Sequence, residues 1–134
     1  MRAIKFRAWD KKCNRFIKGG EVIYRISEEE IEVCINEQGF DNGEDRQKDF
    51  IIMQYTGLND KNGKEIYEGD ILLNRDWVPR GGAMVNTTVV SWSTKNAGFL
   101  PFAFDMYDYP NAFREIEELE VIGNIYENPE LLQP

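Results

Sequence analysis

Two sharp turns in quick succession constrain this chain more than any other feature of its sequence. Asn62-Gly63 is a strong hairpin signal, because Asn and Gly adopt a positive φ at little cost. The polar residues 59–61 before it also allow a longer loop that Gly63 closes in a left-handed conformation. Glu68-Gly69-Asp70 breaks the chain again, and the apolar run Ile71-Leu72-Leu73 follows at once. A ribbon bent twice within about a dozen residues is typical of a small β-barrel.

Most other segments also have the alternating apolar pattern of β-strands. Strands are predicted at residues 3–9, 15–18, 21–26, 50–55, 84–92 and 119–125. Residues 31–35 alternate as well and favour a strand, although Ser27 and Glu30 have the spacing of a helix capping box. Gly123 is expected to form a β-bulge in the last strand. Residues 111–118 allow one or two helical turns.

Three segments carry a further signal. They are Lys5-Phe6-Arg7-Ala8-Trp9-Asp10 near the start, residues 54–71 in the middle, and Val121-Ile122-Gly123-Asn124-Ile125-Tyr126-Glu127-Asn128-Pro129-Glu130-Leu131-Leu132 near the end. In this order and spacing the segments resemble the YopX family of bacteriophage and prophage proteins. Together they frame nearly the whole chain, and no motif covers residues 36–49 or 74–118.

The resemblance implies a mainly β protein whose C-terminal part is an SH3-like barrel. We therefore expect a small N-terminal β or α+β unit with an acidic loop at residues 1–49, and the barrel with a short C-terminal tail at residues 50–134. The polar, acidic stretch 36–49 fits a linker between them. The resemblance also implies self-assembly, and it implies no reaction and no catalytic residues.

The chain contains no histidine. This absence excludes a Ser/His/Asp or Cys/His catalytic unit and a histidine metal site. Cys13 and Cys34 do not form a Cys-x-x-Cys pair. The acidic run 41–45 lacks the pattern of a calcium loop, so that a solvated loop is the simpler interpretation. We predict no enzyme activity, no cofactor and no metal. A carboxylate- or metal-dependent enzyme is kept as an alternative function.

The first residues lack the apolar run of a signal peptide. No apolar stretch approaches the ~18–20 residues that cross a bilayer. We therefore expect a cytoplasmic protein, in a host cell, with no membrane partner.

The charge distribution opens a nucleic-acid alternative. Residues 1–25 contain eight Lys or Arg against two acids, which is +6, whereas the whole chain carries −8. In strand geometry Lys5, Arg7 and Trp9 share one face, which could contact phosphates and stack a base. An ordinary outer strand face is the simpler interpretation, and docking of this basic arm onto the acidic body of a neighbouring subunit is a third. The negative net charge disfavours nucleic acid.

Aromatic residues suggest the main hypothesis, which is a non-catalytic protein that acts through protein contacts. Large aromatic side chains are enriched at the anchor points of interfaces. We therefore predict an interaction surface for an unidentified host or phage protein at Tyr55, Tyr67, Trp77 and Trp92. A homo-oligomer is also expected, because small β proteins with exposed edges associate readily.

Overall fold

The computed structural model of the protein describes residues 3–17, 22–35, 47–75, 87–103 and 116–132. In these ranges the protein is mainly β, as predicted from the sequence. The strands are β1 (Phe6–Asp10), β2 (Arg15–Phe16), β3 (Val22–Ile26), β4 (Ile31–Ile35), β5 (Phe50–Asn59), β6 (Glu65–Tyr67), β7 (Asp70–Asn74), β8 (Thr87–Val89), β9 (Ser91–Ser93), β10 (Gly98–Leu100) and β11 (Leu119–Asn124). Short 3-10 helices span Gln47–Asp49, Ile116–Glu118 and Pro129–Leu132.

The chain divides into two compact units. One contains Ile4–Gln54, and the other contains Tyr55–Pro134 together with Met1–Ala3. The division lies inside β5, whose first half pairs within one unit and whose second half pairs within the other. The sequence prediction had placed a boundary just before Phe50, at the start of the same strand.

The N-terminal unit contains a sheet in which β1 pairs with both β2 and the first half of β5, antiparallel in each case. A separate hairpin pairs β3 with β4. Alternate strand residues point to opposite faces, and the apolar ones from both sheets meet in one core. That core consists of Ala8, Ile17, Val33 and Phe50, with Tyr24 and Ile52 packed against it.

The turn between β3 and β4 explains why residues 31–35 form a strand and not a helix. The Ser27 hydroxyl oxygen accepts hydrogen bonds from the N–H groups of Glu29 and Glu30, at 3.3 and 3.1 Å. The Ser27 N–H donates in turn to the Glu30 carbonyl oxygen at 2.9 Å, which closes the turn after one step. The capping pattern is present, but here it closes a hairpin.

The C-terminal unit contains a three-stranded antiparallel sheet in the order β11-β7-β8. The second half of β5 pairs with β6, and β9 pairs with β10. Their buried side chains form a second core of Ile66, Leu72, Val90, Leu119 and Val121, with Phe99, Phe102 and Ile116 packed against it. The SH3-like identity of this unit stays a prediction.

Several local predictions are confirmed and others need correction. The register between β11 and β7 shifts between Val121 and Gly123, as expected for a bulge at that glycine. The first strand begins at Phe6 and not at Ala3, and the described part of the predicted strand 84–92 covers β8 and the first two residues of β9. Residues 1–2, 18–21, 36–46, 76–86, 104–115 and 133–134 lie outside the described ranges. Among the described helices, none is long and apolar enough to span a membrane.

Close packing at Gly98, the first residue of β10, generates a test of the C-terminal core. A Cβ atom added at Gly98 would overlap the Cβ atom of Ala103. We expect Gly98→Ala to lower the free energy of unfolding by about 1–3 kcal/mol, because overpacking forces the backbone to shift. Urea unfolding measures the change.

The double variant Gly98→Ala/Ala103→Gly is the matched control, because it returns the space that the new methyl group needs. Its free energy of unfolding should exceed that expected from the two single variants by about 1 kcal/mol or more. Strict additivity of the two single changes would show that this contact is not tight.

Candidate functional site

Of the four aromatic residues predicted to form an interaction surface, one stands clearly in solvent. Trp92 in β9 is 51% exposed, the largest exposure of any described aromatic side chain. Tyr55 is buried and Tyr67 is half-buried. Trp77 lies outside the residues that the structure describes. The candidate surface therefore centres on Trp92.

The Trp92 ring is held by the ring of Phe99 on the neighbouring strand. The two residues are register partners between β9 and β10, and their rings meet edge to face with centroids 5.0 Å apart. Phe99 packs in turn against the C-terminal core. Its carbonyl oxygen also accepts a 2.7 Å hydrogen bond from the Ala103 N–H. The exposed Trp92 ring is thus in contact with a Phe99 ring that packs on the core. This geometry suits an interface anchor.

The loop between β9 and β10 is ordered by a local hydrogen bond. The Asn96 N–H donates to the Ser93 hydroxyl oxygen at 3.1 Å, and Ala97 adopts a left-handed φ of 50°. Across residues 87–103, the only charged residue is Lys95, in a chain of net charge −8. Trp92 therefore lies in a nearly neutral part of an acidic protein.

Tyr55 and Tyr67 pack against each other in the structure, and their predicted contact role stays a prediction. Their rings pack with centroids 5.5 Å apart across the pair formed by β5 and β6. The Tyr55 hydroxyl donates a hydrogen bond to the Asn59 side-chain oxygen. An aromatic ring has the same sequence signature in a core and at an interface, so that the sequence by itself does not separate the two roles.

The predicted basic face of β1 is covered where Trp9 lies. Trp9 is only 4% exposed, and its ring meets the ring of Phe16 edge to face at 4.9 Å. The Arg7 guanidinium lies over the same Phe16 ring, 4.7 Å from its centroid. The burial of Trp9 is a tertiary feature that strand alternation could not reveal. Lys5 remains exposed, but a base cannot stack on Trp9 in this structure.

A different basic feature is present at the turn that joins β1 to β2. The Asp10 carboxylate accepts hydrogen bonds from the N–H groups of Lys12 and Cys13, at 2.9 and 3.1 Å. Asn14 completes the turn with a left-handed φ of 55°. Lys11 and Lys12 are exposed on this ordered turn. The sequence shows the charges of these two lysines, whereas the role of Asp10 in the turn is visible only in the structure.

The central stretch 54–71 forms a scaffold, which is organised by Asp60. This residue is only 7% exposed. Its Oδ1 atom accepts hydrogen bonds from the N–H groups of Asn62 and Lys64, each at 2.9 Å. Its Oδ2 atom accepts a 2.9 Å hydrogen bond from the N–H of Val121, which is distant in sequence. One carboxylate therefore shapes the turn and ties it to β11.

These contacts shift the ionisation of Asp60. Burial by itself raises the pKa of this carboxyl group. The N–H groups of Val121, Lys64 and Asn62, together with the positive charge of Lys64, outweigh burial and lower the pKa below its usual value. The ionised form is therefore the one that the folded protein favours.

The second turn of the same stretch joins further strands. Gly69 adopts a left-handed φ of 83°, its N–H donates to the Val90 carbonyl at 2.8 Å, and its own carbonyl accepts from Ile125 at 2.9 Å. The Asp70 carboxylate accepts a 2.8 Å hydrogen bond from the Tyr67 N–H. Both turns are thus built to hold strands. Within the described ranges, no three His, Cys, Asp or Glu side chains are placed to hold a metal ion.

Comparison with known proteins identifies the family. The family model described as "YopX protein" matches residues 5–133. The chain belongs to the YopX family. This confirms the resemblance seen in the sequence. No protein with a curated description matches the chain.

Two solved structures are similar to this YopX chain. One is the crystal structure of protein EF1440 from Enterococcus faecalis, with 28% sequence identity, a TM-score of 0.59, and coverage of 99% of this chain and 100% of the other. The second is the X-ray structure of protein yopX from Bacillus subtilis, with 16% identity, a TM-score of 0.49, and the same coverage of both chains.

The lowered pKa of Asp60 leads to a prediction on stability. Because the folded-state pKa lies below the unfolded-state value, the stabilisation is fully present above the unfolded pKa of about 4 and is lost as the pH falls through the folded pKa. At neutral pH, Asp60→Ala should lower the free energy of unfolding by about 2–4 kcal/mol, since it leaves buried N–H groups without an acceptor. The difference from wild type should shrink in acid.

Thr56→Val is the matched control for this measurement. The Thr56 hydroxyl donates to the Ile66 carbonyl at 2.9 Å in the same pair of strands, but it does not titrate. Denaturant unfolding of all three proteins at several pH values should give a difference that is constant for Thr56→Val and pH-dependent for Asp60→Ala. A pH-independent effect of Asp60→Ala would contradict the role given to its charge.

Proposed function

We propose that this member of the YopX family is a non-catalytic protein that works through protein contacts, with Trp92 as its main anchor. The observation that carries the proposal is the exposed indole of Trp92. Its ring contacts the ring of Phe99 edge to face, and Phe99 packs against the C-terminal core. Such a ring loses little conformational entropy when a partner covers it. The partner is a host or phage protein.

Three further parts of the proposal rest on the sequence and on the family resemblance. The protein is of phage or prophage origin, acts in the cytoplasm of a host cell and self-associates. No cofactor is part of the proposal. The lack of histidine in the sequence supports the non-catalytic assignment, since it excludes the common nucleophile–imidazole pairs.

The proposal predicts that Trp92→Ala removes most of the binding to the partner. Truncation of a central aromatic anchor typically costs about 2 kcal/mol or more, which corresponds to roughly 30-fold weaker binding. The immobilised protein is used to capture partners from infected or prophage-carrying cells, and affinity for a purified candidate is then measured by calorimetry. The expected result is strong recovery by wild type and weak recovery by a folded Trp92→Ala variant.

Ile4→Ala is the control, because Ile4 is an equally conspicuous apolar side chain, 62% exposed, in the other unit. It should leave partner recovery unchanged. If Trp92→Ala recovers the same partner as wild type does, the anchor role is wrong. Light-scattering mass over a range of concentrations tests self-association independently, and a strictly monomeric mass throughout would remove that part of the proposal.

Nucleic-acid binding is the second candidate function. The exposed pair Lys11 and Lys12 on the ordered β1–β2 turn favours it, together with exposed Lys5. Binding of this kind would be electrostatic and insensitive to base sequence, because Trp9 is buried.

This candidate predicts salt-sensitive binding of single-stranded or duplex DNA. The logarithm of the binding constant should fall with the logarithm of salt concentration, with a slope of about −0.7 to −0.9 per phosphate contacted. The double variant Lys11→Ala/Lys12→Ala should make this slope less steep by the amount expected for about two phosphate contacts. Lys95→Ala, which removes an exposed lysine of the C-terminal unit, is the control. Absence of retention at low salt would eliminate nucleic acid as a partner.

A further inference from the structure

The outer edge of β11 would ordinarily be available for pairing with another strand. This strand lies at one end of the order β11-β7-β8. In an antiparallel sheet, alternate residues direct their backbone N–H and C=O groups to opposite sides of the strand. The carbonyl oxygen of Leu119 and the N–H of Val121 bind residues of the turn after β5. A strand edge that lacks such partners is a template for association with a second chain.

The turn that follows β5 occupies this edge in place of a strand. The Lys61 N–H donates to the Leu119 carbonyl oxygen at 3.0 Å. The Val121 N–H donates to Asp60 Oδ2 at 2.9 Å. The donor and the acceptor of a neighbouring strand are therefore both reproduced, the donor by a backbone amide and the acceptor by a carboxylate. Because Leu119 and Val121 are buried, loss of either partner would leave a costly unsatisfied group.

The cover itself is rigid for a local reason. Asp60 Oδ1 accepts the N–H groups of Asn62 and Lys64, and the Asp60 N–H donates to the Lys64 carbonyl at 2.8 Å. The turn thus holds its shape through one carboxylate oxygen and covers β11 through the other. Gly63, at a φ of 82°, completes the turn where a side chain would be strained.

We propose that Asp60 and Lys61 form an edge seal on β11, which prevents this strand from pairing with β11 of a second copy of the protein. A second copy is the occupant to which the edge is best suited, because two identical edges pair antiparallel around a twofold axis. Charge does not oppose this pairing at Glu120, whose carboxylate binds Arg75 at 2.7 Å in the same subunit. The inference is independent of Trp92, and it restricts self-association to other surfaces.

The variant Asp60→Asn opens the seal selectively. Asparagine has the shape of aspartate but exchanges one acceptor oxygen for an N–H₂ donor. Its remaining oxygen retains two hydrogen bonds if it stays with Asn62 and Lys64, so that the new donor faces the Val121 N–H. The turn is kept, while the acceptor for β11 is lost.

The experiment combines amide hydrogen exchange at Val121 with light-scattering mass over a range of protein concentrations. At low concentration, exchange at Val121 in Asp60→Asn should be about 10- to 100-fold faster than in wild type, as expected for loss of a hydrogen bond to a charged acceptor. At high concentration, the mass of the variant should double relative to wild type, and the Val121 amide should regain protection. Thr56→Val, which alters the same hairpin away from β11, should change neither quantity.

Each other outcome would overturn the edge seal. Faster exchange without any increase in mass would mean that the bond is structural and that the edge has no tendency to pair. Unchanged exchange would mean that Asp60 does not hold β11. Equal association of Thr56→Val would point to general destabilisation. The protein-contact proposal is unaffected by these results, since Trp92 is intact in all three proteins.

Discussion

The C-terminal unit depends on one buried carboxylate that is bound by three backbone N–H groups. Asp60 joins the turn after β5 to β11, although about sixty residues of sequence separate them. An ionised carboxylate is a strong acceptor, and burial makes each of its hydrogen bonds more consequential. The same group therefore fixes the turn, completes the edge of the sheet and gives the fold a dependence on ionisation. No apolar residue could do all three.

The turns of the family stretch and the exposed ring of Trp92 lie in different segments of the chain. The turns at Asp60 and Gly69 form hydrogen bonds that connect strands of the C-terminal unit. The exposed ring of Trp92 lies on the β9–β10 hairpin, in the segment that no motif covers. On this hairpin Trp92 is exposed, whereas Phe99 packs against the C-terminal core.

The turns at Asp10 and Asp60, which carry exposed lysines, are each built around an aspartate whose carboxylate accepts backbone N–H groups. The Asp10 carboxylate accepts two backbone N–H hydrogen bonds in the turn that carries Lys11 and Lys12. The Asp60 carboxylate accepts two in the turn that carries Lys61 and Lys64. In each case the acid is buried and the bases are exposed.

The sequence by itself determined the β class, the family, the left-handed Gly63 and the bulge at Gly123, because strand alternation and turn chemistry act over a few residues. The tertiary structure decided which aromatic rings are exposed. Trp9 and Trp92 each meet a phenylalanine ring edge to face at nearly the same distance, yet Trp9 is buried and Trp92 is exposed. It also decided that Asp60 binds Val121. Burial and long-range hydrogen bonds depend on which segments meet in space, and no local pattern encodes that.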